Sequence, residues 1–172
     1  WVDWGAFQAM SRVFDFIIKD RLVALRNDST MPDLWVETIG AGKRESLQMP
    51  GVLSSNEWVH LAVVVTPKEL KLYQNGFLLS DHVIEEPDVF RSSEYSRRNL
   101  LGHSNAKVVW ENDRDFRGRM AEVRVWSQAR SEAQILTNVL ARLTGREPGL
   151  LALYNFADPA QPGRVDQIMR VD

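Results

Sequence analysis

The chain has 172 residues, 44% of them hydrophobic, and 23 acidic against 21 basic side chains leave a formal charge of -2 with a pI near 6.0. That length supports one substantial apolar core, hence a single domain over residues 1–172. The near-neutral balance argues against sequence-independent attraction to nucleic acid or to an anionic membrane, and the absence of cysteine removes disulfides and thiolate metal sites. No apolar run reaches the roughly 18 residues of a membrane span, so no membrane insertion is expected. The sequence starts at Trp1 inside a strand-like run, which suggests a segment excised from a longer, multidomain protein.

Taken in chain order, residues 10–18, 21–26, 33–39 and 46–52 are short β-like runs separated by polar, glycine and proline punctuation such as Asp28-Ser29, Pro32 and Gly40 to Gly42. Residues 57–80 (EWVHLAVVVTPKELKLYQNGFLLS) read as three antiparallel strands. A polar break separates the first two, and Asn75-Gly76 supplies a type I′ hairpin turn, in which both central residues need positive φ. Residues 85–98 are polar, contain Pro87 and read as a long surface loop. Strands follow at 99–103, 119–126 and 150–156. Between the last two, residues 131–143 carry Leu136, Val139, Leu140 and Leu143 at helical spacing, with a Ser131–Gln134 capping box and Gly145 as terminator. Short strands at this spacing predict an all-β, antiparallel two-sheet β-sandwich with one short amphipathic helix lying along an edge.

The order of motifs resembles a known family. The phrases WVDW, RVFDF, EWVHLAVVV with LKLYQNGFLL, NLLGHSN and FRGRMAEVRVWSQARSEAQI look like those of laminin-G-like domains in the concanavalin A-like superfamily, with Phe116-Arg117-Gly118 running into Val123 to Trp126 as the most diagnostic part. The resemblance covers nearly the whole chain. It implies a jelly roll, a calcium site at the rim in many members, an extracellular or cell-surface setting, and binding of glycans or proteins without catalysis. In this family a first strand ordinarily precedes the position of Trp1. Residues 150–156 (LLALYNF) are expected to fill that vacant place, in which case deletion from Gly149 onward unfolds the domain.

Calcium takes several carboxylate and carbonyl oxygens converging from loops. Asp15, Asn105, Asp113 and Asp115 are the candidates, with Asp113 and Asp115 spaced to share one side of an extended loop. Trp4, Trp35 and Trp110 lie near loops or strand ends, where an indole can stack on a sugar ring or anchor a protein, while Trp58 and Trp126 sit inside strands and are expected in the core. His60, His82 and His103 share no metal-ligand spacing, Gly40 to Lys43 lacks the rest of a phosphate loop, and Asn27-Asp28-Ser29 is a formal glycosylation acceptor.

A glycosidase of the same architecture needs two carboxylates on one strand face, about 5–5.5 Å apart in a retaining enzyme. The nearest approaches, Glu86-Pro87-Asp88 and Glu111-Asn112-Asp113, lack a following Glu at the required position. The expected function is therefore a non-catalytic module that binds a glycan or protein through rim loops, calcium-assisted where the site forms. The alternative is a spacer that contacts other domains of the parent chain.

Overall fold

The structure, a computed structural model, describes residues 1–18, 21–40, 43–84, 98–105 and 113–156. In chain order it contains β1 (Val2–Ala6), β2 (Arg12–Ile18), β3 (Arg21–Asn27), β4 (Leu34–Gly40), β5 (Lys43–Met49), β6 (Trp58–Val59), β7 (Leu61–Val65), β8 (Glu69–Gln74), β9 (Phe77–Val83), β10 (Arg98–Leu101), β11 (Arg117–Met120) and β12 (Val123–Trp126). Helix α1 (Glu132–Asn138) and strand β13 (Leu150–Tyr154) follow. The ladders run in the orders β10-β2-β3-β4-β5, β11-β1-β6, β7-β8-β9 and β12-β13, and every named pairing is antiparallel. This is the expected all-β architecture with one short helix, a jelly-roll β-sandwich. Of the surface loop expected at 85–98, residues 85–97 lie outside the described residues.

Alternation along the strands decides which side chains are dry. Phe14, Leu25, Val36 and Leu47 are successive cross-strand partners or near-partners of the five-stranded sheet, and all face one side. They meet Val2 and Trp4 of β1, Val59 of β6 and Leu70 and Leu72 of β8 in one apolar core. Trp4 is fully buried there, with Phe116 edge-on at 5.5 Å and Phe7 at 6.3 Å. The expected rim position for Trp4 is corrected accordingly: Val2 and Trp4 share the inward parity of β1, so the indole is a filler of the core.

Gly118 explains why the Phe116-Arg117-Gly118 phrase is so specific. It pairs with Trp4 across the ladder, and a Cβ at this position would stand 2.0 Å from the Asp3 carbonyl oxygen and 2.7 Å from the Phe116 ring. Only hydrogen fits where the phenyl and the neighbouring backbone converge.

The Asn75-Gly76 turn forms as expected, with φ of 52° and 91°. Helix α1 is shorter than expected and placed differently. The capping box is present, with Ser131 accepting from the Gln134 amide and Gln134 accepting from the Ser131 amide, but the helix closes after Asn138. Its buried residue is Ile135, which packs on Val64, Tyr73 and Ala62, whereas Leu136 and Leu140 are 45% and 86% exposed. Since Ala62 and Tyr73 point away from Leu70 and Leu72, the helix covers the outer face of the β7-β8-β9 sheet and not an edge. It sits so close over Gly76 that a Cβ there would meet Leu136 at 2.6 Å. Gly145 has a positive φ of 85°, but it belongs to a separate turn in which Glu147 accepts from the Thr144 and Gly145 amides.

Trp58 is also not in the core, the place expected from its position inside a strand. It is 42% exposed on the outer face beside Asp3, with the Arg119 guanidinium 5.3 Å from its ring centre. Trp126 is half-buried under the Arg130 guanidinium at 4.2 Å. Asn27 is fully buried, its amide donating to the carbonyls of Gln8 (2.9 Å) and Ser29 (2.7 Å), so it cannot accept a glycan in the folded chain.

Three expectations follow from this packing. Gly118→Ala forces the Phe116 ring and the β1 backbone apart and should cost about 1–3 kcal/mol, read as a lower urea midpoint at unchanged slope; a wild-type midpoint would contradict it. Strand β13 pairs with β12 from Val123–Tyr154 to Trp126–Leu150 and buries Leu150 and Leu153, so deletion from Gly149 onward should abolish the cooperative thermal transition. A truncated chain that melts like the full one would remove β13 from the folding unit. Finally, burial first, then the charges of the Trp1 amino group and Arg124, lower the His60 pKa from 6.5 to about 4. The unfolded chain therefore takes up this proton first, so the imidazole's contribution is intact above pH 6.5 and is lost as pH falls towards 4. His60→Gln should flatten the fall in midpoint between pH 6.5 and 5, and an unchanged slope would show that other groups govern it.

Candidate ligand-binding face

The second face of the five-stranded sheet, turned away from the apolar core, carries most of the buried charge among the described residues. Leu100, Asp15, Ala24, Glu37 and Ser46 form one cross-strand row on it, and Arg12, Arg26, Trp35 and Gln48 form the next. Arg12, Asp15, Arg26 and Glu37 are all at most 6% exposed. Charges this deep persist only when paired, because taking an ion out of water costs several kcal/mol.

The pairing centres on Arg12. Its guanidinium lies 3.2 Å from Asp15 Oδ2, 3.2 Å from Glu37 Oε1 and 3.4 Å from Asp113 Oδ2. Glu37 is held further by Arg26 Nε at 3.6 Å and by Arg44, whose guanidinium closes on Oε2. Two loop residues tie into the same cluster. Ser104 donates to Asp113 Oδ2 at 2.7 Å, and Asn105 donates its backbone amide to Asp15 Oδ2 at 3.0 Å and its side-chain amide to Asp15 Oδ1 at 3.2 Å. Ser104, Asn105 and Asp113, described residues of the connection between β10 and β11, are thereby tied to β2 through charge-assisted hydrogen bonds to Asp15 and from Arg12.

Three of the four residues expected to ligate calcium, Asp15, Asn105 and Asp113, do converge. Asp115 does not: it is exposed and meets His103 Nδ1 at 2.6 Å, so Asp113 and Asp115 point to different surroundings instead of sharing a side. The converging set does not fit a calcium ion as arranged. Calcium wants six to eight oxygens at roughly 2.3–2.6 Å, whereas these carboxylates turn towards a fixed cation. A second positive charge ~4 Å from that guanidinium would be repelled by about 4 kcal/mol at a near-surface dielectric. No group of three or more acidic, histidine or cysteine side chains suited to a metal occurs among the described residues.

Towards β4 and β5 this face opens. Trp35 is half-buried with the Arg26 guanidinium 4.2 Å from its ring centre; its cross-strand neighbour Gln48 is exposed, as is Arg44 further along β5. Asp28 links the two flanks of the indole, accepting from Arg26 at 3.3 Å and from Gln48 Nε2 at 3.4 Å. The indole nitrogen of Trp35 has no hydrogen-bond partner. Of the three tryptophans singled out for ligand contact, Trp35 alone has a described aromatic ring beside such a polar set; Trp4 is in the core, and Trp110 lies outside the described residues. Arg12, Arg26, Glu37, Arg44 and Gln48 escaped the sequence reading because charges alternating with apolar residues in a strand are the ordinary pattern of a solvated face. The available signal was that Arg26 and Glu37 fall at matching positions of adjoining strands; Arg12 reaches this face only through the bulge between Arg12 and Phe14, which alternation alone does not reveal.

A comparison with curated proteins gives no significant match. Among solved structures, the chain resembles a proposed carbohydrate binding protein from Bacteroides ovatus, with 23% identity and a TM-score of 0.65 over 90% of this chain and 43% of that one. The chain thus spans less than half the length of that protein, and the likeness is one of fold. An S-layer domain-containing protein from Clostridium thermocellum shares 18% identity over 81% of this chain and 66% of its own, with a TM-score of 0.37. The laminin G-like family model of the concanavalin A-like lectin/glucanases superfamily matches residues 1–136, more than three quarters of the sequence, and agrees with the sandwich. The chain belongs to this superfamily as a laminin G-like domain.

Proposed function

We propose that the chain is a non-catalytic module that binds a glycan on the β3–β5 side of the charged sheet face, around Trp35. The observation that carries this reading is the half-buried indole set among hydrogen-bonding side chains that are themselves held in place. A sugar ring offers apolar C–H faces to an aromatic ring and hydroxyls to planar amide, carboxylate and guanidinium groups. Gln48, Asp28 and Arg26 supply such groups next to Trp35, and Arg44 lies further along β5 against Glu37. Arg26 and Asp28 are fixed by each other and by Glu37, which limits the ordering cost of binding. This moves the proposed contact from rim loops to the sheet face. The binding reading is supported further by the Bacteroides neighbour, itself a proposed carbohydrate binder.

A glycosidase reading draws little support from this face. Both Glu37 oxygens are engaged by arginines, and Asp15 and Asp113 are occupied by Arg12, Ser104 and Asn105, so none is placed as a free acid or nucleophile. Glu86 to Asp88, Glu111 and Asn112 lie outside the described residues. A protein-docking role is the second reading. It is favoured by Phe77, Leu136 and Leu140, which are 62%, 45% and 86% exposed, with Leu136 seated directly over the neighbouring Gly76.

The test is a glycan array followed by titration of the best hit. Trp35→Ala and Gln48→Ala should each weaken binding about tenfold or more, equivalent to ~1.4 kcal/mol, with the thermal transition retained. Trp58→Ala, on the other sheet, should leave affinity unchanged. Binding that survives Trp35→Ala in folded protein, or is lost with Trp58→Ala, would place the ligand elsewhere; an array with no hit would favour protein docking.

A further inference from the structure

We infer that the Arg12 guanidinium serves as a built-in cation, standing where a divalent ion would otherwise gather the acids and holding the β10–β11 connection on the sheet without metal. The inference is independent of the glycan reading, since it concerns what orders the loop and not what the face binds.

Its basis is the convergence on one group of carboxylates from three separate parts of the chain. Asp15 comes from β2, Glu37 from β4 and Asp113 from the segment before β11, and each lies within 3.4 Å of a terminal nitrogen of Arg12. Such a convergence of acids is repulsive unless a positive charge sits at its centre. A guanidinium supplies that charge together with directed donors, so it does what an ion does for clustered carboxylates and is carried by the chain itself. The neighbouring contacts fit this role. Ser104 and Asn105 add hydrogen bonds from uncharged donors to the same two aspartates, as outer groups do around a bound ion, and Arg12 is itself only 6% exposed. The nearby Arg26 and Arg44 both bind Glu37, which leaves Asp15 and Asp113 as the acids most dependent on Arg12.

The consequence is an inverted metal response. Wild-type protein should show the same thermal midpoint in millimolar calcium and in EDTA, and terbium should give no tryptophan-sensitised emission that calcium displaces. In Arg12→Ala the midpoint in EDTA should drop by several degrees, and calcium should restore part of the loss. Asp113→Asn in the Arg12→Ala background should cancel that restoration. Arg12→Lys, which keeps a positive charge, should fold without acquiring a calcium response. A wild-type midpoint that rises with calcium and loses that rise in Asp113→Asn would overturn the inference, because the acids would then already hold a metal. A folded Arg12→Ala protein indifferent to calcium would overturn it equally. Should Arg12→Ala fail to fold even with calcium present, the charge role is contradicted unless Arg12→Lys folds in EDTA.

Discussion

The five-stranded sheet buries opposite kinds of side chain on its two faces, and the charged face holds because Arg12, with Arg26 and Arg44, neutralises acids that would otherwise repel one another. The apolar face obeys the usual economics of a sandwich: Phe14, Leu25, Val36 and Leu47 leave water by meeting Trp4, Leu70 and Leu72. On the other face Asp15 and Glu37 are as dry as any leucine, at 0% and 2% exposure. Their stability rests on the geometry of a few hydrogen-bonded ions, whose removal one at a time leaves an uncompensated charge. This makes the sheet stiff on both sides, a suitable footing for an aromatic ring and its polar neighbours at Trp35.

The two flanks of that face differ in a way that assigns them different work. Towards β2 and β10, Ser104, Asn105 and Asp113 roof the charged row and spend their hydrogen bonds internally. Towards β5, Arg44 and Gln48 reach solvent, and the polar groups around Trp35 are only partly committed. One half of the face is therefore committed to structure, and the other holds the groups that the proposed glycan site would use. A graded sheet of this kind holds its exposed half rigid by satisfying its covered half.

Much of the fold was legible in the sequence, and much of the site was not. Strand positions followed from short apolar runs and turn residues, and the Asn75-Gly76 hairpin and the Ser131–Gln134 cap formed as their local chemistry dictates. The errors came where burial depends on partners far along the chain. Leu136 and Leu140 look like a helix's buried stripe, yet Ile135 is the residue that meets Val64 and Tyr73, because the position of α1 over Gly76 sets which side faces inward. Trp4 and Trp58 exchanged their expected places because parity relative to β1 and β6 cannot be counted from composition. At the site, Asp15, Asn105 and Asp113 were found as oxygen donors, but the sequence gives no means of seeing that Arg12 would stand among them, since their meeting is fixed by the ladder of β2, β3 and β4 and by a loop beyond β10.

Strand β1 lies between β6 and β11, and its Asp3 is bound by Arg119 across a separation of 116 residues. Strand β1 pairs with β6 across about 55 residues of chain, but its other side is covered only when β11, more than 110 residues along from β1, pairs with it. Until then one row of backbone donors and acceptors stays unpaired, and the seat for Trp4 beside Phe116 does not exist. Such long-range closure makes for slow, late-committing folding, and the pocket that receives Trp4 closes only when the strand carrying Gly118 pairs with β1.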